Sequence, residues 1–262
     1  MDSGDAQYAL ITGASSGIGR ELAIQLAADG LNVVLVARDA ERLRRVAAEI
    51  EGESQVTAWV LLKDLRDPDA PHEIFSELEA AGVGVPVLVN NAGTCVYDEF
   101  RASDLRAEIE MIQVNVTALT CLTKLFLAKM LARGSGRILN VASGAGICPV
   151  PMVAAYAATK AYVISLSESL AHELRGTGVS VTCLCPWPTE SGIQEASGLG
   201  GSRAHRRGLA DPADVARIGL AACKRRDVIA IPGLGNRLLV LAMRLAPRKT
   251  NTRVSAWMFE RV

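Results

Sequence analysis

Three side chains in the middle of the chain could together move a proton. Ser143 carries a hydroxyl, Tyr156 a phenol and Lys160 an ammonium, all within the stretch SGAGICPVPMVAAYAATK. Residues 154–174 are rich in Ala, Leu and Ser and hold no internal Pro or Gly, which predicts a helix. Positions four apart share one helical face, so Tyr156 and Lys160 project together. A free phenol titrates near ~10, and a fixed cation beside it is expected to lower that value toward neutrality. Ser143, on the turn after an apolar strand at Ile138–Ala142, would bind the same oxygen that the phenol protonates. Tyr and Lys at this spacing also occur by chance on ordinary helices, so the pair gains meaning only from its surroundings.

Those surroundings alternate short β-branched runs with longer Ala/Leu/Glu/Arg segments. Strands are expected at Tyr8–Ile11, Asn32–Ala37, Gln55–Leu62, Pro86–Asn90, Arg137–Ala142, Ser180–Leu184 and Val228–Ile231. Helices are expected over about 17–29, to about Glu51 after the second strand, from Pro68 at a first turn, and over about 107–133. The last of these should end at Gly134 and Gly136. The strands are almost wholly apolar rather than alternating, which implies burial on both faces of a parallel sheet. Strand–helix repetition at this spacing predicts an α/β fold, a Rossmann-like doubly wound parallel sheet with helices on both faces. No linker or shift in composition divides the chain, so residues 1–262 are expected to form a single domain.

Composition narrows the function classes. Of 262 residues half are hydrophobic, and 28 Lys and Arg balance 28 Asp and Glu. That balance gives no electrostatic footprint for nucleic acid. The N-terminal MDSGDAQ lacks the basic and apolar regions of a secretory signal, and no run of eighteen apolar residues suggests a spanning helix. Six cysteines are scattered (Cys95, Cys121, Cys148, Cys183, Cys185, Cys223) and the three histidines are dispersed, which favours free thiols over a metal site. Cys183 and Cys185 are at strand spacing and should point to one face. A reducing, cytoplasmic location is expected.

The first turn carries a cofactor signal. Gly13, Ser15, Ser16, Gly17, Ile18 and Gly19 lie between the first strand and its helix, where a glycine-rich turn lets backbone approach a pyrophosphate. Their spacing is GxxxGxG rather than the commoner GxGxxG. The second strand ends in Ala37–Arg38, so arginine stands where a carboxylate would otherwise accept a ribose hydroxyl. Arg38 suits a 2'-phosphate and thus NADP(H), unless it is a solvated loop charge.

Taken in order, TGASSGIG, Asp64–Leu65, Asn90–Asn91–Ala92–Gly93, Asn115, Ser143, Tyr156–x–x–x–Lys160 and Pro186–x–Pro–Thr189 resemble the short-chain dehydrogenase/reductase family over roughly residues 7–232. The resemblance implies hydride transfer between nicotinamide and a carbonyl or alcohol. It further implies that Ser143 holds the substrate oxygen, that Tyr156 exchanges the proton, and that Lys160 binds the nicotinamide ribose and depresses the tyrosine pKa. Asn115 would anchor a water that relays protons from Lys160. Asp64 and Leu65 would flank the adenine, Asn91, Ala92 and Gly93 would support the cofactor, and Pro186, Thr189 and Ser191 would meet the nicotinamide amide. One departure stands out: Trp187 replaces the usual glycine of that proline loop, and it is expected to line the substrate pocket.

Around this core the sequence suggests a lid and a cover. Residues 189–210 are rich in Gly and Ser, as in a mobile lid. Ile147, Val150, Trp187 and Ile193 are candidate walls for an apolar substrate, and Pro151 could join them. The apolar segment from about residue 233 carries Arg237 and Arg244 on one helical face. It could lie on a membrane surface; the preferred reading is that it covers the site or packs at a subunit interface. The expectation is an NADP(H)-dependent reductase of apolar ketones or aldehydes. A homodimer or homotetramer is implied by the family's habit of pairing the helices around 107–133 and Tyr156. The alternative is an NADP(H)-binding regulatory or membrane-associated protein without turnover.

Overall fold

Helices flank a seven-stranded parallel sheet in a computed structural model that describes residues 6–190, 197, 202–203 and 208–260. In chain order the strands are β1 (Ala6–Thr12), β2 (Asn32–Ala37), β3 (Ala58–Leu62), β4 (Val83–Asn90), β5 (Gly136–Val141), β6 (Val179–Leu184) and β7 (Ile229–Ala230). They lie side by side as β3-β2-β1-β4-β5-β6-β7. The order reverses between β1 and β4, and the divergence of the two chain ends there opens a crevice at the carboxyl edge.

The apolar strands are buried on both faces, as their composition implies. Along β1, Ala9 and Ile11 enter one core, where they meet Leu22 and Leu26 of α1 (Gly17–Ala28), Leu43 and Ile50 of α2 (Ala40–Glu53) and Leu220 of α7 (Pro212–Arg225). Leu10 enters the opposite core with Ile74 and Leu78 of α3 (Ala70–Ala80) and Phe126 and Met130 of α5 (Leu119–Arg133). Period-two alternation thus sends neighbouring side chains into different apolar layers, and polar side chains buried on the strands, such as Thr12 and Asn90, are hydrogen-bonded.

Helix starts follow cap chemistry. Asp39, Asp104 and Asp211 each accept a hydrogen bond from a first-turn N–H, opening α2, α4 (Leu105–Ile112) and α7. Three sequence expectations shift. The third helix starts at Ala70 with Pro71, not Pro68, in its first turn. The helix expected over about 107–133 begins at Leu105 and contains a π turn at Gln113–Ala118 between α4 and α5. Gly134, at φ 69°, ends α5, whereas Gly136 already belongs to β5. The run Leu105–Arg133 is long and apolar enough to cross a membrane, with a mean hydropathy of 1.4, but half of its most apolar window is buried inside the protein.

The remaining helices named among the described residues are α6 (Ala154–Glu173), α8 (Leu234–Leu245) and α9 (Arg248–Phe259). The first carries Tyr156 and Lys160. The other two form the far wall of the crevice.

Candidate functional site

A cavity of about 1550 Å³ lies at the carboxyl edge of the sheet. That exceeds the roughly 300–1,000 Å³ of most ligand pockets, leaving room for two molecules. It is bounded by the segments that follow β1 to β6 and by α8 and α9.

At its centre Ser143 follows β5 in extended backbone, and its Oγ accepts from the Ala145 N–H at 3.1 Å. Tyr156 lies in the first turn of α6 and Lys160 one turn later, as the spacing predicts. Lys160 is buried, with Nζ donating to the Val141 carbonyl at 3.0 Å and lying 5.8 Å from the Tyr156 ring centroid. Burial lowers the ammonium to about 8, against the opposing pull of Cys183, Cys95 and Cys185. Tyr156 departs from expectation. Burial raises its phenol well above the usual value, Cys95 raises it further, and a hydrogen bond with Ser143 opposes both. Helical spacing places Lys160 nearby, but burial sets the direction of the shift.

Asn115 sits inside the π turn, a local distortion that recurs at functional sites. Its Nδ2 donates to the Thr94 carbonyl (2.9 Å) and Thr159 Oγ1 (3.1 Å), and its Oδ1 accepts from the Thr94 N–H (2.9 Å). The side chain therefore fastens the segment after β4 to α6. Gly93 makes this possible: a Cβ there would meet both Asn115 Oδ1 and Lys160 Nζ at 3.3 Å.

The glycine-rich turn is stitched to the end of β4. Thr12 Oγ1 accepts from the Asn91 and Ala92 N–H groups, each at 3.0 Å, while Asn91 Nδ2 donates to the Thr12 and Gly13 carbonyls at 3.0 and 3.2 Å. Gly13 holds φ 68°, and a Cβ on Gly19 would collide with the Gly13 carbonyl oxygen, so only glycine lets the turn close. Ser16 precedes α1 without a side-chain cap bond. The first N–H groups of α1 are thus free of a capping side chain beside the cavity, the arrangement that binds a phosphate.

Gly13, Ser15, Ser16, Ile18, Arg38, Asp64, Leu65, Asn91, Ala92, Gly93, Pro186 and Thr189 all border the cavity. Gly17, Gly19 and Asn115 instead support the turns behind it. Burial would raise the Asp64 carboxyl, but hydrogen bonds and charge from Arg66, with Arg38 adding charge, hold it below its ordinary value. A nicotinamide dinucleotide fits these residues. An uncapped helix start, a glycine turn and a cation at the end of β2 meet its pyrophosphate and adenosine in the right order.

On the other side, Val150 and Trp187 line the cavity and Ile147 does not; the turn at Gly144–Gly146 presents Cys148 in its place. Trp187 packs over Gly144 so closely that a Cβ there would lie 2.6 Å from its ring. Ile193, Ser191 and most of the expected lid lie outside the described residues. Several contacts were not read from the sequence. Arg42, in the first turn of α2, also faces the cavity, and its place just after the Asp39 cap was the available signal. Cys95 borders it too, its thiol pushed up to about 12 by burial, so it stays protonated. Leu239, Met243, Val254, Met258 and Phe259 of α8 and α9 complete the wall. Of the two preferred readings of the C-terminal segment, cover of the site or packing at a subunit interface, the cavity-lining residues of α8 and α9 match the first. Cys183 at the end of β6 and Cys185 just after it point the same way, with sulfurs 3.9 Å apart.

A doubly wound parallel sheet with a glycine turn at its switch point and a Ser–Tyr–Lys cluster beside it is the architecture of a Rossmann-type dinucleotide-binding protein. Residues 7–199 match the short chain dehydrogenase family, and the chain belongs to it. It is 36% identical to human very-long-chain 3-oxoacyl-CoA reductase over 188 residues, 70% of this chain and 60% of that protein. It is 36% identical to mouse 17-beta-hydroxysteroid dehydrogenase type 3 over 183 residues, 69% of this chain and 59% of that one. The chain thus spans about 60% of the length of these relatives. Among solved structures, a short-chain dehydrogenase from Sphingobium yanoikuyae in complex with NADPH superposes with a TM-score of 0.82 at 33% identity, covering 91% of this chain and 93% of that one. The bulky-bulky ketone specific alcohol dehydrogenase from Comamonas testosteroni gives 0.76 at 31% identity, covering 91% and 92%.

Proposed function

We propose that this protein is an NADP(H)-dependent reductase of apolar ketones or aldehydes. The observation that carries the reading is the pairing of a phenol kept protonated by burial with an apolar wall on the same cavity. A bound nicotinamide would supply hydride to the carbonyl carbon. Ser143 would hold the carbonyl oxygen, and Tyr156 would deliver its proton as negative charge develops there. The Lys160 ammonium, charged below about pH 8, would then stabilise the phenolate left behind. Asn115 acts through Thr94 and Thr159, fixing the backbone beside Lys160. A water held for the proton relay would use main-chain groups of the π turn or the second lone pair of Asn115 Oδ1, because Nδ2 already donates to Thr94 and Thr159.

The phosphate preference rests on Arg38 with Arg42 beside it. The substrate class rests on Val150, Trp187, Leu239, Met243 and Phe259. It is supported by relatives named for a very-long-chain 3-oxoacyl-CoA and a hydroxysteroid, and by a structural neighbour named for bulky ketones. NADPH oxidation measured over ketones, aldehydes and quinones of increasing chain length tests it. Turnover rising with apolar size is expected, and turnover confined to short polar carbonyls overturns the substrate class.

The same proposal covers assembly as a single-domain homo-oligomer. Leu105, Ile109 and Ile112 form an exposed apolar stripe on α4, and Tyr162 of α6 is exposed as well. Light scattering at micromolar concentration should give a dimer or tetramer; a monomer would count against it.

A further inference from the structure

The C-terminal helices have two apolar faces, and the cavity uses only one. On α8, Leu239 and Met243 turn inward to line the cavity, together with Asn236. Leu234, Leu238, Leu241 and Leu245 turn outward and are 76%, 69%, 56% and 81% exposed. Their spacing of four, three and four residues makes one stripe along the helix. On α9 the exposed Trp257 lies 5.0 Å from the Arg203 guanidinium.

Charge separates with this face. Residues 232–260 carry Arg237, Arg244, Arg248, Lys249 and Arg253 against a single carboxylate, Glu260, in a chain whose charges balance overall. Glu260 is already engaged 3.2 Å from Arg203, so these cations have no acidic partner within their own two helices. Each of the five is exposed. A leucine stripe flanked by arginines, with a tryptophan beside it, is the pattern of a helix lying in the plane of a bilayer interface.

We infer that the outer face of α8 and α9 docks on an anionic membrane surface. Phosphate headgroups would pair with the arginines while the leucines enter the acyl boundary. A second copy of the chain fits less well. A two-fold contact through this stripe would bring its arginine flank against an identical one, and the helices offer no acidic residue in return. The cavity mouth strengthens the membrane choice: Leu239 and Val254 both line the cavity and remain 40% and 53% exposed. Apolar side chains of the same two helices thus stand at its rim, and an apolar substrate dissolved in a docked bilayer would meet the opening from that side. Only this entry route rests on the substrate class proposed above; the docking itself does not.

Co-sedimentation of the full chain with vesicles of phosphatidylcholine, with and without phosphatidylglycerol, tests the inference. Binding is expected to the anionic vesicles, weakening with salt. Arg237→Gln and Arg244→Gln should each reduce it roughly fivefold. The double variant Leu238→Ser/Leu241→Ser should reduce it by about tenfold or more. Neither leucine lines the cavity, so NADPH affinity measured in parallel should stay at the wild-type value and report that the variants fold. Failure to sediment with anionic vesicles, or variants that bind like wild type, overturns the inference. A concentration-dependent dimer lost in the leucine variant without vesicle binding also overturns it, and assigns the face to a second copy.

Discussion

On one side of the cavity main-chain turns meet charged side chains; on the other, apolar side chains meet one another. The first side is assembled from short segments directly after β1 to β4, with Thr12, Asn91 and Gly13 tied by hydrogen bonds that tolerate little change. The second is assembled from residues far apart in sequence, with Phe259 packed against the cluster of Tyr97, Val150 and Val153. Hydrogen-bonded turns demand particular residue types at particular spacings. Apolar contacts demand only volume and shape, and many sequences supply them. The two sides should therefore answer differently to mutation, one by losing function outright and the other by changing what it accepts.

The largest effect is expected where the sides meet. Tyr156→Phe keeps the ring and removes the proton, so kcat should fall by roughly 10²–10⁴, while NADPH affinity measured by fluorescence stays nearly unchanged. A variant within tenfold of wild type would remove Tyr156 from the chemistry. The pH profile sharpens the same point. With Lys160 lowered to about 8, reduction should decline above that pH as the ammonium is lost, and Lys160→Met should abolish the break. Folding responds in the opposite sense. The folded value lies below the ordinary lysine value of 10.5, so the unfolded chain binds more protons between about 8 and 10.5 and stability from this group rises across that window. Lys160→Met should accordingly raise the melting temperature at pH 7 more than at pH 10.5.

Next comes the charged edge of the cofactor side. Arg38→Leu should weaken NADPH binding roughly ten- to a hundredfold, the worth of a charge-assisted hydrogen bond to phosphate. Adding Ala37→Asp should move preference toward NADH, through ribose hydroxyl acceptance and phosphate repulsion. Dissociation constants for both cofactors check this, and equal wild-type affinities would mean that Arg38 serves solvent only. Arg42 should share the effect to a smaller degree, since Asp39 lies 3.4 Å from its Nε.

This contrast also explains what the sequence revealed. The sheet, its two buried faces and the turns after β1 and β4 were legible because local residue types dictate them. Tyr156 and Lys160 were legible as a helical pair, but their electrostatics were not: the phenol rises because layers distant in sequence bury it, and spacing carries no record of burial. The π turn around Asn115 was read as plain helix because Gln113–Ala118 contains no Pro or Gly to mark it. On the substrate side Trp187 was found as a departure from a pattern, whereas Leu239, Met243 and Met258 had no pattern to depart from.

A moderate effect is expected from Trp187, the substrate-side residue nearest the chemistry. Gly144→Ala should be harmful because its Cβ would lie 2.6 Å from the indole, and large rings in a packed loop yield little. Trp187→Gly should raise KM for small ketones by about tenfold and favour bulkier ones, a typical worth of apolar contact in specificity. Combining the two should cost less than the single effects together, because the clash disappears with the ring. Additive losses across a panel of ketones would separate Gly144 from Trp187.

The smallest effect tests how the far wall is fastened. Tyr97 Oη donates to the Phe259 carbonyl at 2.5 Å, across 162 residues of chain, and Ser255 Oγ donates to the Pro149 carbonyl at 2.8 Å. These bonds tie α9 to the loops beside Val150, so that C-terminal side chains far from any motif hold a fixed place over the substrate side. Tyr97→Phe removes one of them and keeps the ring within its apolar cluster. The expected loss is about 1 kcal/mol, a few degrees in melting temperature for a chain of this size. NADPH affinity should not move, because the Tyr97 hydroxyl bonds the Phe259 carbonyl on the substrate side. KM for the largest apolar substrates should rise severalfold as α9 loosens, with small ketones nearly unaffected. If NADPH affinity falls in step with KM, the two sides are mechanically coupled and the division between them fails.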